Sequence, residues 1–407
     1  MAKKIAYPSL ILEILVLIGL VALPLSEIFR IPLGHDIYGN PLDIVVGATA
    51  IVWVILMILG KTHKPPRRLF WVMFSFPLIG IVSLVINSFW LTSSQLETAF
   101  LYGVRVFAYT SIFFIVAGFG IQAKKRFFVG LFLMGLSVLL AGYVQYFLYS
   151  NLRNLYYLGW DEHMFRMFSI FLDPNFAGAF FVLFLFFLAG LYLCQKDRKK
   201  WFIGLVFVVT LIAIFLTYSR SALLMLVIGS TVLLFLIRQK KLLLFLFGII
   251  VIALIILAPR FYIENTNLFR VNSSQARIGT TVNALKIIQD HPIFGVGFNA
   301  YRYAQIRYGF RQQDLPIPSH ADAGVDNSWL FVLATTGIVG FFAYLLFWQS
   351  VLRLAYHEYV KRKNVFGAVI IASIVSLFVD ALFINSLFYT PIFLWIFVLL
   401  GVTANEF

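Results

Sequence analysis

The sequence predicts an all-α integral membrane protein of about twelve transmembrane helices, on three observations. Apolar residues make up 61% of the 407-residue chain and charged residues only 12%, whereas about a quarter of a soluble domain is charged. Apolar runs long enough to cross a bilayer, about 20 residues each, recur along the whole chain. Basic clusters punctuate alternate connections between them.

The runs lie near 9–29, 43–60, 69–87, 98–119, 127–149, 175–194, 201–217, 221–237, 242–258, 327–350, 365–385 and 391–404. The first follows Met-Ala-Lys-Lys and is read as a retained span rather than a signal peptide, because so many others follow. The clusters are Lys3/Lys4, Lys61 to Arg68, Lys124 to Arg126, Lys196 to Lys200, Arg238 to Lys241 and Arg353 to Lys363. The positive-inside rule puts these connections, and both termini, in the cytoplasm. Residues 1–407 then form a single polytopic domain in the cytoplasmic membrane, with one large extracytoplasmic loop at about 259–326.

Composition excludes several classes. The net charge of +15 resides mostly in the topology-setting clusters, so no nucleic-acid partner is expected. The single cysteine, Cys194, rules out an intrachain disulfide. The cytoplasmic connections are too short for a nucleotide-binding domain, and no strand-led glycine fingerprint or Walker loop occurs. The histidines show no metal-ligand spacing, so no metal and no cofactor are expected.

Outside the clusters, eleven of the twelve basic residues are Arg, the exception being Lys286. Arg keeps its charge everywhere and presents a planar fork matched to phosphate, so the extracytoplasmic face reads as an anion-recognising one. The alternative for any single Arg is snorkelling at the interface. Within the loop, Ser273 or Ser274 can cap a helix with Ile278, Val282, Leu285 and Ile288 on one face, ending before Pro292 and lying along the membrane. A second helical stretch near 299–309 interleaves Tyr301, Tyr303 and Tyr308 with Arg302 and Arg307, a pattern suited to sugar rings and equally to an interfacial aromatic belt.

Candidate residues follow from position. Arg220, in Tyr218-Ser219-Arg220-Ser221, opens a span with almost no preceding loop, where free N–H groups and the helix dipole favour an anion. Arg270 and Arg277 are two turns apart and with Arg220 could enclose a diphosphate. Arg166 precedes Asp173-Pro174-Asn175, itself explained as an N-cap followed by Pro at the first helical position. Asp326 is a suitable N-cap for the tenth span and also a carboxylate at the mouth of the same cavity. His320 and His291 are candidate bases. Glu13, Arg105 and Asp380 fall inside spans, where ionisable groups are costly; an Arg105–Asp380 ion pair is one expectation.

Together these motifs resemble the O-antigen ligase and O-antigen polymerase superfamily of membrane glycosyltransferases. The resemblance covers about 165–345. It is carried by Arg166 with Asp173-Pro174-Asn175-Phe176-Ala177-Gly178, by Tyr218-Ser219-Arg220-Ser221, by Arg277 ahead of Asp290-His291-Pro292-Ile293-Phe294-Gly295-Val296-Gly297, and by Asp326-Asn327-Ser328-Trp329-Leu330 with Thr336-Gly337-Ile338-Val339-Gly340. It implies a twelve-helix fold whose late external loop forms part of the active site. It also implies transfer of a glycan from a polyprenyl (undecaprenyl) diphosphate carrier to a glycan or lipid-glycan acceptor, without nucleotide or metal. Arg220 and Arg277 match the diphosphate-binding positions. The family's usual His before the Asn of the last motif is Asp326 here, so Asp326 or His320 is the expected base.

The expected function is therefore an inverting, ligase-type membrane glycosyltransferase. Arg220, Arg277, Arg166 and Arg270 contact the diphosphate; Asp326, His320 and Arg277 do the chemistry; Tyr301, Arg302 and Tyr303 meet the glycan. A polysaccharide polymerase is the alternative on the same scaffold. A transporter or flippase of an anionic lipid-linked substrate is the alternative from another class, although its related halves are not visible in the sequence.

Overall fold

A computed structural model describes residues 10–34, 37–153, 155, 162–196, 199–239, 241–242, 248, 252, 272–311 and 324–404. Among these the fold is helical, with one two-stranded antiparallel hairpin, β1 (Ile31–Gly34) and β2 (Ile37–Gly39). The helices are α1 (Leu10–Ala22), α2 (Pro41–Ile58), α3 (Arg67–Ile86), α4 (Ser93–Ala117), α5 (Ile121–Leu148), α6 (Pro174–Cys194), α7 (Lys199–Leu216), α8 (Arg220–Leu236), α9 (Asn272–Asp290), α10 (Tyr301–Arg307), α11 (Ser328–Arg362), α12 (Val365–Asp380) and α13 (Thr390–Thr403).

Seven of them, α2 to α7 and α11, are long and apolar enough to cross a membrane, and α1 (continued to Leu25), α8, α12 and α13 are shorter apolar helices. Eleven of the twelve expected spans coincide with these helices. The remaining one, 242–258, lies almost wholly outside the described residues. The chain is a multi-pass membrane protein.

Capping residues start the helices where the sequence supplies them. Thr92 and Gln95 exchange a reciprocal capping box at α4, and Asn40 accepts from Asp43 N at 2.8 Å ahead of Pro41 at α2. Helices α6 and α13 are buried on nearly every side, the signature of central helices, and Trp395 of α13 packs against Phe180, Phe184 and Phe187 of α6. Peripheral helices turn large apolar residues outward, such as Phe147, Trp201 and Phe342, as a lipid environment requires.

The intramembrane charges are paired differently from expectation. Arg105 of α4 bonds Asp43 of α2, Nη2 to Oδ2 at 2.5 Å, and not Asp380; the other Asp43 oxygen accepts from the Tyr109 hydroxyl at 2.9 Å. Sequence gives the depth of a residue in a span, but not the direction in which its helix faces. Glu13 pairs with Arg126.

The fold's least regular feature is a clasp between the segment after α9 and a break in α11. Gly337 has φ +63° and ψ −168°, which interrupts the helix. The carbonyls freed on one side accept from the inserted segment: Val296 N to Ala334 O and Gly297 N to Thr335 O, both 3.0 Å. The N–H groups freed on the other side donate to it: Ile338 N to Pro292 O at 2.9 Å and Val339 N to Ile293 O at 3.4 Å. From α3, the Ser83 hydroxyl sits between Phe294 O (2.5 Å) and Thr335 O (2.9 Å), and Asn87 Nδ2 donates to Gly295 O at 3.1 Å. Two carbonyls and two N–H groups beside the break thus regain partners, as irregular backbone among membrane helices requires. Gly295 and Gly337 are required because a Cβ on either would collide with the opposing backbone, Thr335 and Ala334 in one case and Ile293 and Phe294 in the other.

Candidate functional site

The clasp anchors α9 against the bundle, and α9 carries Arg277. Its packed face is Ala284 and Ile287, with Ile288 partly buried against the same core; of the expected apolar stripe Ile278, Val282 and Leu285 are exposed, as they would be for a helix lying against lipid.

Arg277 faces the start of α8 at Coulombic range. Ser219 caps that helix, accepting from Ala222 N at 3.4 Å, and Arg220 is its first residue. Here the guanidinium stands at the positive end of the helix dipole, an arrangement that repels a cation and attracts an anion. Arg277 lies within Coulombic reach of Arg220. Two guanidinium groups and a helix N-terminus therefore share one locality.

Carboxylates and hydroxyls back this locality. Asp173 caps α6 through Asn175 N (2.6 Å) and Phe176 N (3.3 Å), as the Asp-Pro pattern predicts. Ser219 Oγ then donates to Asn175 Oδ1 at 3.0 Å and lies 3.2 Å from Ser221 Oγ, tying α6 to α8. Asp380, at the last turn of α12, is 0% exposed. The hydroxyls of Ser221 and Ser386 stand beside it, with Arg277 and Asp173 within Coulombic reach, yet neither carboxylate oxygen has a partner in hydrogen-bond geometry. Burying a charge in this way is costly. The sequence marks Asp380 as an ionisable residue inside a span, but only the packing of α12 on α8 brings it to this site.

Arg166 is 3% exposed. Its Nε donates to Thr217 O at 2.8 Å and its Nη2 to Tyr218 O at 3.3 Å. It binds the two carbonyls just beyond α7 and so holds the turn in which Tyr218, at φ +49°, redirects the chain into α8. Gln145 of α5 braces the Arg166 segment, accepting from Phe168 N (2.8 Å) and Ser169 N (3.0 Å). These bonds tie Arg166 to the turn that leads into Arg220.

The start of α11 borders the same end of the bundle. Its cap is Asn327, whose Oδ1 accepts from Trp329 N (2.9 Å) and Leu330 N (3.1 Å), so Asp326 is not the cap. Ser328 N bonds Ala381 O at 2.8 Å, which sets Asp326 beside the end of α12 that carries Asp380. His320 and Arg270 lie outside the described residues.

Of the expected glycan contacts, Tyr301 is corrected: it is fully buried, its ring packs edge-on against Phe331, and burial pushes its phenol well above the ordinary range. It belongs to the core because the i, i+2 interleaving of Tyr and Arg wraps around a helix rather than along one face. Arg302 and Tyr303 are half-buried on the same short helix.

A multi-helix membrane protein with paired arginines at a helix N-terminus, backed by carboxylates, is the class that this fold and site define. Residues 205–345 match the family model described as O-antigen ligase. The matched stretch includes Arg220, Arg277, the clasp and Asp326, whereas Arg166 and Asp173 precede it. No curated protein matches the chain. The resemblance to the O-antigen ligase and polymerase superfamily holds over this stretch, and it supports a glycan-transferring membrane enzyme.

Proposed function

We propose that the protein is an inverting, metal-independent glycosyltransferase of the ligase type. It takes a glycan from a polyprenyl-diphosphate carrier to an acceptor hydroxyl on the outer face of the cytoplasmic membrane. The observation that carries the reading is the placing of Arg220 and Arg277 within Coulombic reach of each other at the N-terminus of α8. The acceptor hydroxyl gives its proton to Asp326, with His320 as the other candidate, and its oxygen attacks the anomeric carbon. The bond from that carbon to the diphosphate breaks, and the diphosphate leaves with the electron pair. Arg220 and Arg277 balance its charge, with Arg270 as an expected further contact.

Fixed donors of this kind are worth about 2.7–4 kcal/mol each in the transition state. Arg166 contributes by holding the turn before α8. Asp380 supplies negative charge behind Arg277 and keeps that guanidinium directed into the site when the carrier is absent. The basic clusters support cytoplasmic termini. A polymerase would use the same chemistry with a glycan chain as acceptor.

The test is carrier binding. Purified wild type should bind polyprenyl diphosphate in EDTA, and Arg220→Ala should weaken binding by about tenfold or more, in line with a charge-assisted contact. Equal binding by wild type, Arg220→Ala and Arg277→Ala would refute the reading.

A further inference from the structure

A surface band of cations and rings beside the clasp has no part in that chemistry. Residues 299–311 carry three Arg and no acidic residue. Arg307 of α10 stands over the Trp90 ring, its guanidinium carbon 5.7 Å from the centroid. Lys286 of α9 stands likewise over Phe310, its Nζ 5.5 Å from the centroid. Tyr308 joins the two: its ring is 5.5 Å from that of Phe310, and its hydroxyl donates to Asp290 Oδ2 at 2.7 Å, one turn beyond Lys286. The band thus runs unbroken from α9 across α10 to the turn that follows α3.

Its mounting is rigid and its charge is unspent. Trp90 Nε1 donates to Asn87 Oδ1 at 3.4 Å, and the Asn87 amide reaches the clasp through Gly295 O. Tyr308 and Phe310 are partly buried against the main core. An aromatic ring holds a cation in place without cancelling its charge. Lys286 and Arg307 are exposed, and among the described residues neither has an ion-pair partner. Asp290, the carboxylate within the band, is engaged by Tyr308. The orientation follows from the helix. Lys286 and Asp290 lie about a quarter and a third of a turn round α9 from the exposed stripe of Ile278, Val282 and Leu285, so the band turns away from the lipid side. Lys286 and Arg277 are about two and a half turns apart, on opposite sides of α9, so the band is separate from the Arg220 and Arg277 site.

We infer that this band binds an acidic oligosaccharide, one that carries carboxylate groups on its sugar rings. The Arg307 fork matches a carboxylate, Lys286 supplies a second point of positive charge, and the rings between them offer apolar surface to the sugar. Unopposed cations favour such a chain over a neutral one, and their placing off the lipid stripe favours it over a lipid headgroup. The binding inference stands on the band alone; only the identification of the acidic chain with the transferred glycan rests on the transferase reading.

The experiment reads binding without turnover. Full-length protein in phosphatidylcholine nanodiscs, free of sugar-based detergent, is titrated by saturation-transfer NMR with trigalacturonate and with maltotriose, an uncharged chain of the same length. Trigalacturonate should bind about fivefold or more tightly than maltotriose, and less tightly as salt rises, because exposed charges are screened. Lys286→Gln combined with Arg307→Gln should weaken its binding about fivefold, the scale of two exposed ion pairs, at an unchanged melting temperature. Arg277→Ala should leave that binding intact. Equal binding of the two sugars, indifference to the double variant, or loss in Arg277→Ala would overturn the inference. So would native mass spectrometry showing that the double variant sheds bound phosphatidylglycerol, which would give the band to lipid headgroups. Because no carrier is present, failure of the transferase reading would leave the binding result untouched.

Discussion

Substituting Gly337 by Ala should uncouple Arg277 from the membrane bundle. Gly337 has φ +63° and ψ −168°, a region that costs a residue with a Cβ about 1–3 kcal/mol. The added Cβ would also stand inside contact distance of the Ile293 carbonyl and Phe294 N, so the segment after α9 must withdraw. Withdrawal threatens four backbone hydrogen bonds across the break, at 2.9–3.4 Å, each worth about 0.5–1.5 kcal/mol. The sum is several kcal/mol, a large part of an ordinary folding free energy, and corresponds to a fall of about 10 °C in melting temperature. Gly279→Ala is the control, because it makes the same change within α9 where nothing lies within 4 Å of the new methyl. Ala exceeds Gly in helix propensity by about 1 kcal/mol, so this variant should melt at or above wild type. The assay is thermal unfolding of both purified variants, with carrier binding measured beside it. If Gly337→Ala melted and bound carrier like wild type, the clasp would not hold α9 in place.

Asp380→Asn should raise the melting temperature while lowering transfer, because it removes a buried carboxylate lacking hydrogen-bond partners and with it the charge behind Arg277; an unchanged melt with unchanged activity would contradict both roles. Asn327→Ala should cost about 1 kcal/mol through loss of the α11 cap, whereas Asp326→Ala should lower transfer more than it lowers the melt, a contrast that differential scanning fluorimetry and a transfer assay resolve. Burial, followed by its 2.7 Å hydrogen bond to Asp290 Oδ2, pushes the Tyr308 phenol up to about 12. A raised pKa means that the folded state holds the proton longer. Its contribution is therefore complete below the ordinary phenol value of about 10 and is lost as pH rises through about 12. Tyr308→Phe should remove that part of the alkaline fall in melting temperature.

The helices were readable because composition and run length alone specify them in a membrane, and caps such as Asp173 and Asn40 are local signals. Arg220 and Arg277 stand out in the sequence by position, one at the start of a span and the other on an adjoining loop helix, and their diphosphate role is the proposal made above. The clasp was not readable. Gly337 sits inside an unbroken apolar run, and its partners at 292–297 are linked to it by backbone bonds that have no periodicity. Asp380 was recognisable as an anomaly but was assigned the wrong neighbour, since depth in a span is encoded by sequence position and azimuth is not. The cap of α11 moved from Asp326 to Asn327 because two adjacent residues can each do the work and only backbone geometry chooses between them.

The most direct test of the central claim is transfer from a polyprenyl-diphosphate oligosaccharide by purified protein in EDTA, comparing wild type with Arg277→Ala and separating products by size. Wild type should form product, and the variant should lose about a hundredfold or more in rate, the loss associated with one oxyanion-type donor. Single-addition products would mean a ligase and a ladder a polymerase. Equal rates for the two proteins, or no product from any acceptor together with movement of the carrier across vesicles, would contradict the account.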